Sequence, residues 1–205
     1  MQLTGRADFS VRPATPDDAA EVARVQEVTW RTAFRAFLPA AVLDEWDADA
    51  VAAAWRDAVT APPTPGHGVL VAQEGAAVVG FVAYGPAELS PAERSRAERP
   101  RAELPRAEAP SGDGPAGELT ALLVEPRWGR RGHGSRLLAA AVDVLAAAGV
   151  RELCMWVPDD DTVTPRFLAS AGWAADSWTR GLEADGRTIR ERRWHALIAE
   201  DGEQA

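Results

Sequence analysis

The sequence predicts an α/β fold, with seven strands and their helices in the order βααββ, an insertion, then βαβαββ. Three observations carry this. Runs rich in β-formers alternate with segments of helical hydrophobic spacing, helix starts and stops are marked by Thr-Pro and Gly, and one low-complexity block interrupts the alternation. The 205 residues are 46% hydrophobic and include eight Trp, enough for a substantial core.

Each element follows from local signals. "DFSVRPA" reads as a short strand. "TPDDAAEVARVQEVTWRTAF" opens a helix with Thr15 as N-cap, Pro16 at the first helical position and Asp18 completing a capping box. Val22, Val25 and Ala33 share its apolar face, with Trp30 and Phe34 at the edge. Pro39 separates it from a second helix around "AAVLDEWDADAVAAAWRDAV", which "PPTPGHG" closes. "VLVAQEGAAVVGFVAYG" is two strands turning at Glu74 and Gly75. The block 88–117 repeats "RAE" at Arg96, Arg101 and Arg106 and has almost nothing to place in a core, so it is expected to be a disordered or loosely helical insertion within one domain of residues 1–205. After it come the strand "ELTALLVEP", a helix with Leu137, Leu138, Ala141, Val142 and Leu145 on one face that ends at Gly149, and the strand "VRELCMWVP". A short helix follows with Thr164 as N-cap and Pro165 first, then a hairpin turning at Asp185 and Gly186.

Charge and composition exclude several classes of function. A net charge of −9 argues against a nucleic-acid or anionic-membrane partner, either of which needs a basic field over a face. No apolar run approaches the ~20 residues of a membrane span. The single cysteine, Cys154, cannot form an internal disulfide, and "MQLTGRADFS" holds no leader-like apolar segment, so a cytoplasmic location is expected. Asp159, Asp160 and Asp161 are consecutive carboxylates at a strand end and cannot all face one ion, so no metal is expected.

The chemistry is concentrated in "VEPRWGRRGHGSRLLAAA". A strand ending at Val124, a loop of Gly129, Arg130, Arg131, Gly132 and His133, and a helix beginning near Gly134 would aim free backbone N–H groups and the positive end of the helix dipole at one place. That place suits a pyrophosphate. Arg130 and Arg131 either contact it or are solvated. A Walker loop is excluded because the chain has no Lys, and the glycine spacing does not fit the dinucleotide fingerprint.

The segment "ELTALLVEPRWGRRGHGSRLLAAA", together with "WVPDDDTVTPRFLASAGW", resembles the acetyl-CoA-binding half of the N-acetyltransferase superfamily abbreviated GNAT. Val124, Pro126, Gly132, Gly134 and the Leu137–Leu138 pair fall in register with that family's strand "V-x-P" and loop Q/R-x-x-G-x-G/A, and "RFLASAGW" is similar to its "F-Y-E-x-x-G-F/W" ending. The resemblance reaches weakly to the first strand and helix. It implies a single domain with a mixed central sheet of about seven strands flanked by helices, and transfer of acetyl from acetyl-CoA to a primary amine by direct attack in a ternary complex. The acceptor would be a small molecule or a peptide or protein amine; a homodimer is compatible.

The resemblance also assigns roles. The backbone of Leu122, Leu123 and Val124 would bond the pantetheine arm and polarise the thioester carbonyl. Gly129, Arg130, Arg131, Gly132, His133, Gly134 and Ser135 would hold the pyrophosphate, with Ser135 either capping the helix or touching phosphate. Asp161 stands where an Asn is common. Glu118 matches the position from which relatives deprotonate the amine through water, a step needed because an ammonium of pKa near ~10 is no nucleophile at neutral pH. Gly129 departs from the family's Gln or Arg, and Leu168 replaces the Tyr that protonates the departing thiolate in many members. That departure admits an alternative, a non-catalytic acyl-CoA-binding module. Trp30, Phe34 and Trp156 either line an acceptor pocket or belong to the core, and Cys154 reads as a small core residue.

Overall fold

The computed structural model describes residues 9–87 and 115–198. Its elements are β1 (Phe9–Pro13), α1 (Ala19–Thr29), α2 (Ala40–Asp44), α3 (Ala48–Thr60), β2 (Gly68–Glu74), β3 (Ala77–Pro86), β4 (Ala116–Val124), α4 (His133–Ala147), β5 (Glu152–Pro158), α5 (Thr164–Ser170), β6 (Ala174–Ala184) and β7 (Arg187–Leu197). The seven strands form one mixed sheet in the order β1-β2-β3-β4-β5-β7-β6. β4 and β5 pair in parallel, whereas β1–β2, β2–β3, β5–β7 and β6–β7 are antiparallel. The fold is therefore the α/β arrangement that the sequence predicts.

Two details of the predicted order change. The second helix is two helices, because the Asp47 carboxylate accepts from the N–H groups of Asp49 and Ala50 (3.1 and 2.9 Å) and starts α3 afresh. The insertion assigned to 88–117 lies outside the described residues except at its end. There Ala116 and Gly117 belong to β4, and a Cβ on the buried Gly117 would stand 3.0 Å from Leu153 Cδ2, so this backbone is packed.

Backbone contacts divide the described chain into two compact units, one of residues 9–84 and 121–141, the other of 85–87, 115–120 and 142–198. In the first unit, Val22 and Val25 of α1 pack with Val69, Val71, Val78, Phe81, Ala83 and Leu123 of the strands. Burying such side chains contributes about 1.5–3 kcal/mol each. The start of this unit's first helix follows its sequence signal: a 3-10 turn over Pro16–Asp18 leads into α1, and the Asp18 carboxylate accepts from the Thr15 N–H and hydroxyl (2.7 and 2.8 Å). Beyond Thr29 the helix widens into a π turn over Trp30–Phe34, and the Thr32 hydroxyl donates to the Val28 carbonyl at 2.5 Å. This change of pitch overturns one expectation. Ala33 is exposed rather than on the apolar face, while Trp30 and Phe34 pack on the core. In the hairpin of β2 and β3 the turn is Gly75–Ala76, one residue later than predicted, with Gly75 at φ +60°.

In the second unit, β5 pairs with β4 through Ala116–Glu118 and with β7 along its whole length. β6 and β7 turn at Asp185 (φ +47°) and Gly186 (φ +68°), the two-residue turn that Asp-Gly favours. Helices α4 and α5 stop in the same way. Gly149 N–H bonds to Ala146 O and Val150 N–H to Leu145 O; Gly172 N–H bonds to Ala169 O and Trp173 N–H to Leu168 O. Both glycines have φ near +85° (84° and 85°), the left-handed residue that a Schellman end needs.

Candidate active site

One candidate site is the passage from β4 into α4. After Val124 the chain passes through Glu125, a 3-10 turn over Pro126–Trp128, and Gly129, Arg130 and Arg131 to Gly132. Arg130 at φ +62° and Gly132 at φ +83° are both left-handed, and this pair of turns reverses the chain so that α4 begins at His133. The first bond into the helix runs from Arg136 N–H to Gly132 O (3.1 Å). By helix geometry the N–H groups of Gly132, His133, Gly134 and Ser135 then have no intrahelical acceptor, and the dipole adds positive potential at the same end. Trp128 Nε1 in the same loop is buried without a partner. Such an arrangement suits a phosphate-bearing substrate.

Side chains from two strands hold this loop in place. Glu74, at the end of β2, accepts from Arg131 Nη1 (2.9 Å) and His133 Nε2 (3.0 Å). The His133 ring is fully enclosed and stands edge-on to Phe9 of β1, with centroids 5.3 Å apart. Arg131 also lies over the Trp128 ring (4.9 Å). At the loop's start the buried Glu125 carboxylate is paired with Arg24 Nη1 (2.8 Å) and with Arg127, while Arg24 Nη2 donates to Val78 O. The Glu125 N–H donates to Val79 O (2.9 Å). Sequence reasoning missed Glu74, Arg24 and Glu125.

The structure sorts the expected loop residues by what their side chains do. His133 and Arg131 have side chains engaged with Glu74, so His133 packs inside the protein instead of facing a ligand, and its backbone N–H is the group available. Arg130 and Ser135 are exposed. Ser135 lies within the first turn of α4, not at its cap, because left-handed Gly132 ends the loop three residues earlier. Gly134 is the second residue of the helix, and of these two glycines Gly132 alone has a positive φ. Leu122, Leu123 and Val124 form the end of β4, a strand whose register on β5 covers only Ala116–Glu118.

The other expected residues lie in the second unit. Glu118 sits opposite Cys154 of β5, which in turn sits opposite His195 of β7. The Glu118 side chain is mostly buried, and its Oε1 is 3.9 Å from Arg180 Nη1 of β6. Arg180 Nε donates to Glu191 of β7 at 2.6 Å, and its guanidinium carbon lies 4.6 Å from the centre of the Trp156 ring of β5. Asp161 caps α5: its carboxylate accepts from the N–H groups of Val163 (2.7 Å) and Thr164 (3.0 Å) and from the Thr164 hydroxyl. The expected Thr164 cap is thus replaced by Asp161. Asp159 turns elsewhere, to Arg192 (3.3 Å). Leu168 is fully buried. Among the described residues no cluster of three metal-ligating side chains occurs, and no helix is long and apolar enough to cross a membrane.

The profile of the Acetyltransferase (GNAT) family matches residues 25–173, which includes β4, the loop, α4, β5 and α5. The chain belongs to the GNAT family. Solved structures share the fold of this GNAT chain. A protein of Desulfovibrio desulfuricans assigned as a GNAT-family acetyltransferase is 23% identical with a TM-score of 0.62, covering 93% of this chain and 99% of its own. The YncA protein of Salmonella typhimurium, assigned as an acetyltransferase and solved with acetyl-CoA, is 16% identical with a TM-score of 0.62, covering 95% and 96%. The PaiA N-acetyltransferase of Thermoplasma acidophilum, solved with coenzyme A, is 12% identical with a TM-score of 0.61, covering 93% and 99%. No curated protein matches the GNAT chain by sequence.

Proposed function

We propose that this GNAT protein is a single-domain, cytoplasmic N-acetyltransferase that uses acetyl-CoA as cosubstrate, needs no metal, and acetylates a primary amine by direct attack in a ternary complex. The observation that carries the reading is the turn from β4 into α4, where left-handed Arg130 and Gly132 leave the amides of Gly132–Ser135 at a helix N-terminus. The likeness to folds solved with acetyl-CoA and with coenzyme A supports the same ligand. Gly129, Arg130 and Arg131 complete the loop, Arg130 being the exposed charge among them. When bound, acetyl-CoA supplies an activated acyl group.

The protein's own groups do the rest. The end of β4 offers the main-chain groups of Leu122, Leu123 and Val124 to the pantetheine arm, and an N–H there polarises the thioester carbonyl. Glu118 accepts the proton of the incoming ammonium through a water, which makes the nitrogen a nucleophile. Asp161 holds the start of α5 and orders the loop that follows β5. Leu168, fully buried and without a hydroxyl, favours the alternative of a non-catalytic acyl-CoA-binding module; yet a thiol of pKa near ~8.5 is a tolerable leaving group unassisted. The test is to incubate the full chain with acetyl-CoA and a panel of polyamines, amino acids, aminoglycosides and peptide N-termini while following free thiol. Thiol release with an amine is the expected result; coenzyme A binding with no release from any amine supports the binding module.

A further inference from the structure

The Arg180 side chain is held in a place shaped like a receptor for a cation. It has an aromatic face beneath it, the Trp156 ring at 4.6 Å. A carboxylate, Glu191, stands at hydrogen-bonding distance (2.6 Å), and a second, Glu118, at the outer limit of an ion pair (3.9 Å). An indole face with carboxylates around it is the combination that binds ammonium and guanidinium groups. Arg180 is held there chiefly by Glu191 and can still leave toward solvent. Its side chain is 46% exposed and the Glu118 contact is long, so rotation about its own torsions can withdraw it. Neighbouring guanidiniums have carboxylates of their own, Arg193 with Asp176 (2.7 Å) and Arg192 with Asp159 (3.3 Å).

We propose that Trp156, Glu118 and Glu191 form the subsite for the acceptor's ammonium, that Arg180 occupies it in the free protein, and that the acceptor class is an alkylammonium without an adjacent carboxylate. This rests on the acetyltransferase reading only for what happens to the bound amine. A substrate carboxylate aimed at Arg180 would have to enter between Glu118 and Glu191, where like charges repel it, whereas an ammonium replaces one cation by another. Arg180 thus acts as an internal competitor. It raises the amine concentration needed for occupancy and keeps the Glu191 carboxylate compensated until a substrate arrives.

The experiment is calorimetry on the full chain without acetyl-CoA, with n-propylammonium chloride and sodium propionate as probes. R180Q should bind propylammonium about tenfold tighter than wild type, since the competitor is gone, and the gain should disappear in R180Q/W156L and R180Q/E191Q. Unchanged propylammonium affinity in folded R180Q, or propionate binding that R180Q abolishes, overturns the proposal. A second measurement needs no variant. In wild-type protein the Arg180 Nε–H resonance, bonded to Glu191, should shift saturably with propylammonium and not with propionate; indifference to propylammonium overturns the proposal too. Nα-acetyl-lysine amide as a third probe separates a free alkylamine from a side-chain ammonium. Thiol release with acetyl-CoA reads the other question: cation binding without release leaves this subsite standing and removes the acetyltransferase, while release that is indifferent to Arg180 does the reverse.

Discussion

Gly132 has φ +83°, a conformation in which a β-branched residue is strained by about 1–2 kcal/mol, and its Cβ would lie 3.3 Å from Arg136 Nη1. Gly132→Val should therefore weaken coenzyme A binding by roughly tenfold or more while the protein stays folded, as calorimetry and circular dichroism would read; unchanged affinity removes the loop from the binding site. Glu118→Gln should keep coenzyme A affinity but lower kcat/KM by ~10²- to 10⁴-fold near neutral pH. The deficit should shrink at high pH, where the amine arrives without its extra proton. A deficit that ignores pH would make Glu118 structural. Asp18 sets a different pH dependence. The fork of Arg12 (2.7 and 2.8 Å), helped by Thr15, holds the Asp18 carboxyl well below the usual carboxylate range. A depressed folded pKa stabilises the native state above the unfolded value and stops doing so as pH falls through the folded one. Asp18→Asn should thus cost about 1–3 kcal/mol at pH 7, and in urea melts the gap to wild type should begin to narrow below about pH 4 and close only as pH falls through the folded value.

Elements are joined at places where backbone comes close to backbone. A Cβ on Gly80 of β3 would stand 2.7 Å from the Leu123 carbonyl oxygen and 3.0 Å from Val124 Cγ2 of β4, and neither strand can move aside without disturbing the pairing that leads into the loop. Gly80→Ala should cost about 1–3 kcal/mol, seen as a fall of several degrees in Tm, and an unchanged Tm would mean that β3 and β4 part freely to admit a methyl group. Helix ends were legible for the opposite reason. Gly149 and Gly172 close α4 and α5 through contacts within five residues, and the glycine after α4's apolar periodic run is enough to announce that end. The π turn at Trp30–Phe34 had no such announcement, and Ala33 was misplaced because its phase depends on that change of pitch.

At the scale of the whole molecule, residues 88–114 fall between β3 and β4 in the sequence. Ala87 N–H bonds to Ala116 O at 3.0 Å, so the described residues on either side of 88–114 stand side by side. Replacing 88–114 by a short turn should change Tm by no more than about two degrees, because closing a shorter loop adds little entropy cost and the flanking bond already exists. A large fall in Tm would show that the segment packs on the fold.

The amino-acid sequence by itself determined the order of the strands and all but one helix boundary, the capping pair Thr15 and Asp18, the Asp185–Gly186 hairpin and the glycine-arginine loop before α4. Each of these is written in a handful of neighbouring residues through caps, turns and hydrophobic period. Counting outward from the Asp185–Gly186 turn even places Arg180 opposite Glu191. Only the tertiary structure decided which charges meet across the sheet. Arg24 reaches Glu125 over 101 residues, His133 reaches Glu74 over 59, and Arg180 comes to lie on Trp156 and beside Glu118. A charged residue's partner depends on which strands become neighbours and in what register, and hydrophobic patterning specifies the inward face of a strand without specifying the strand beside it.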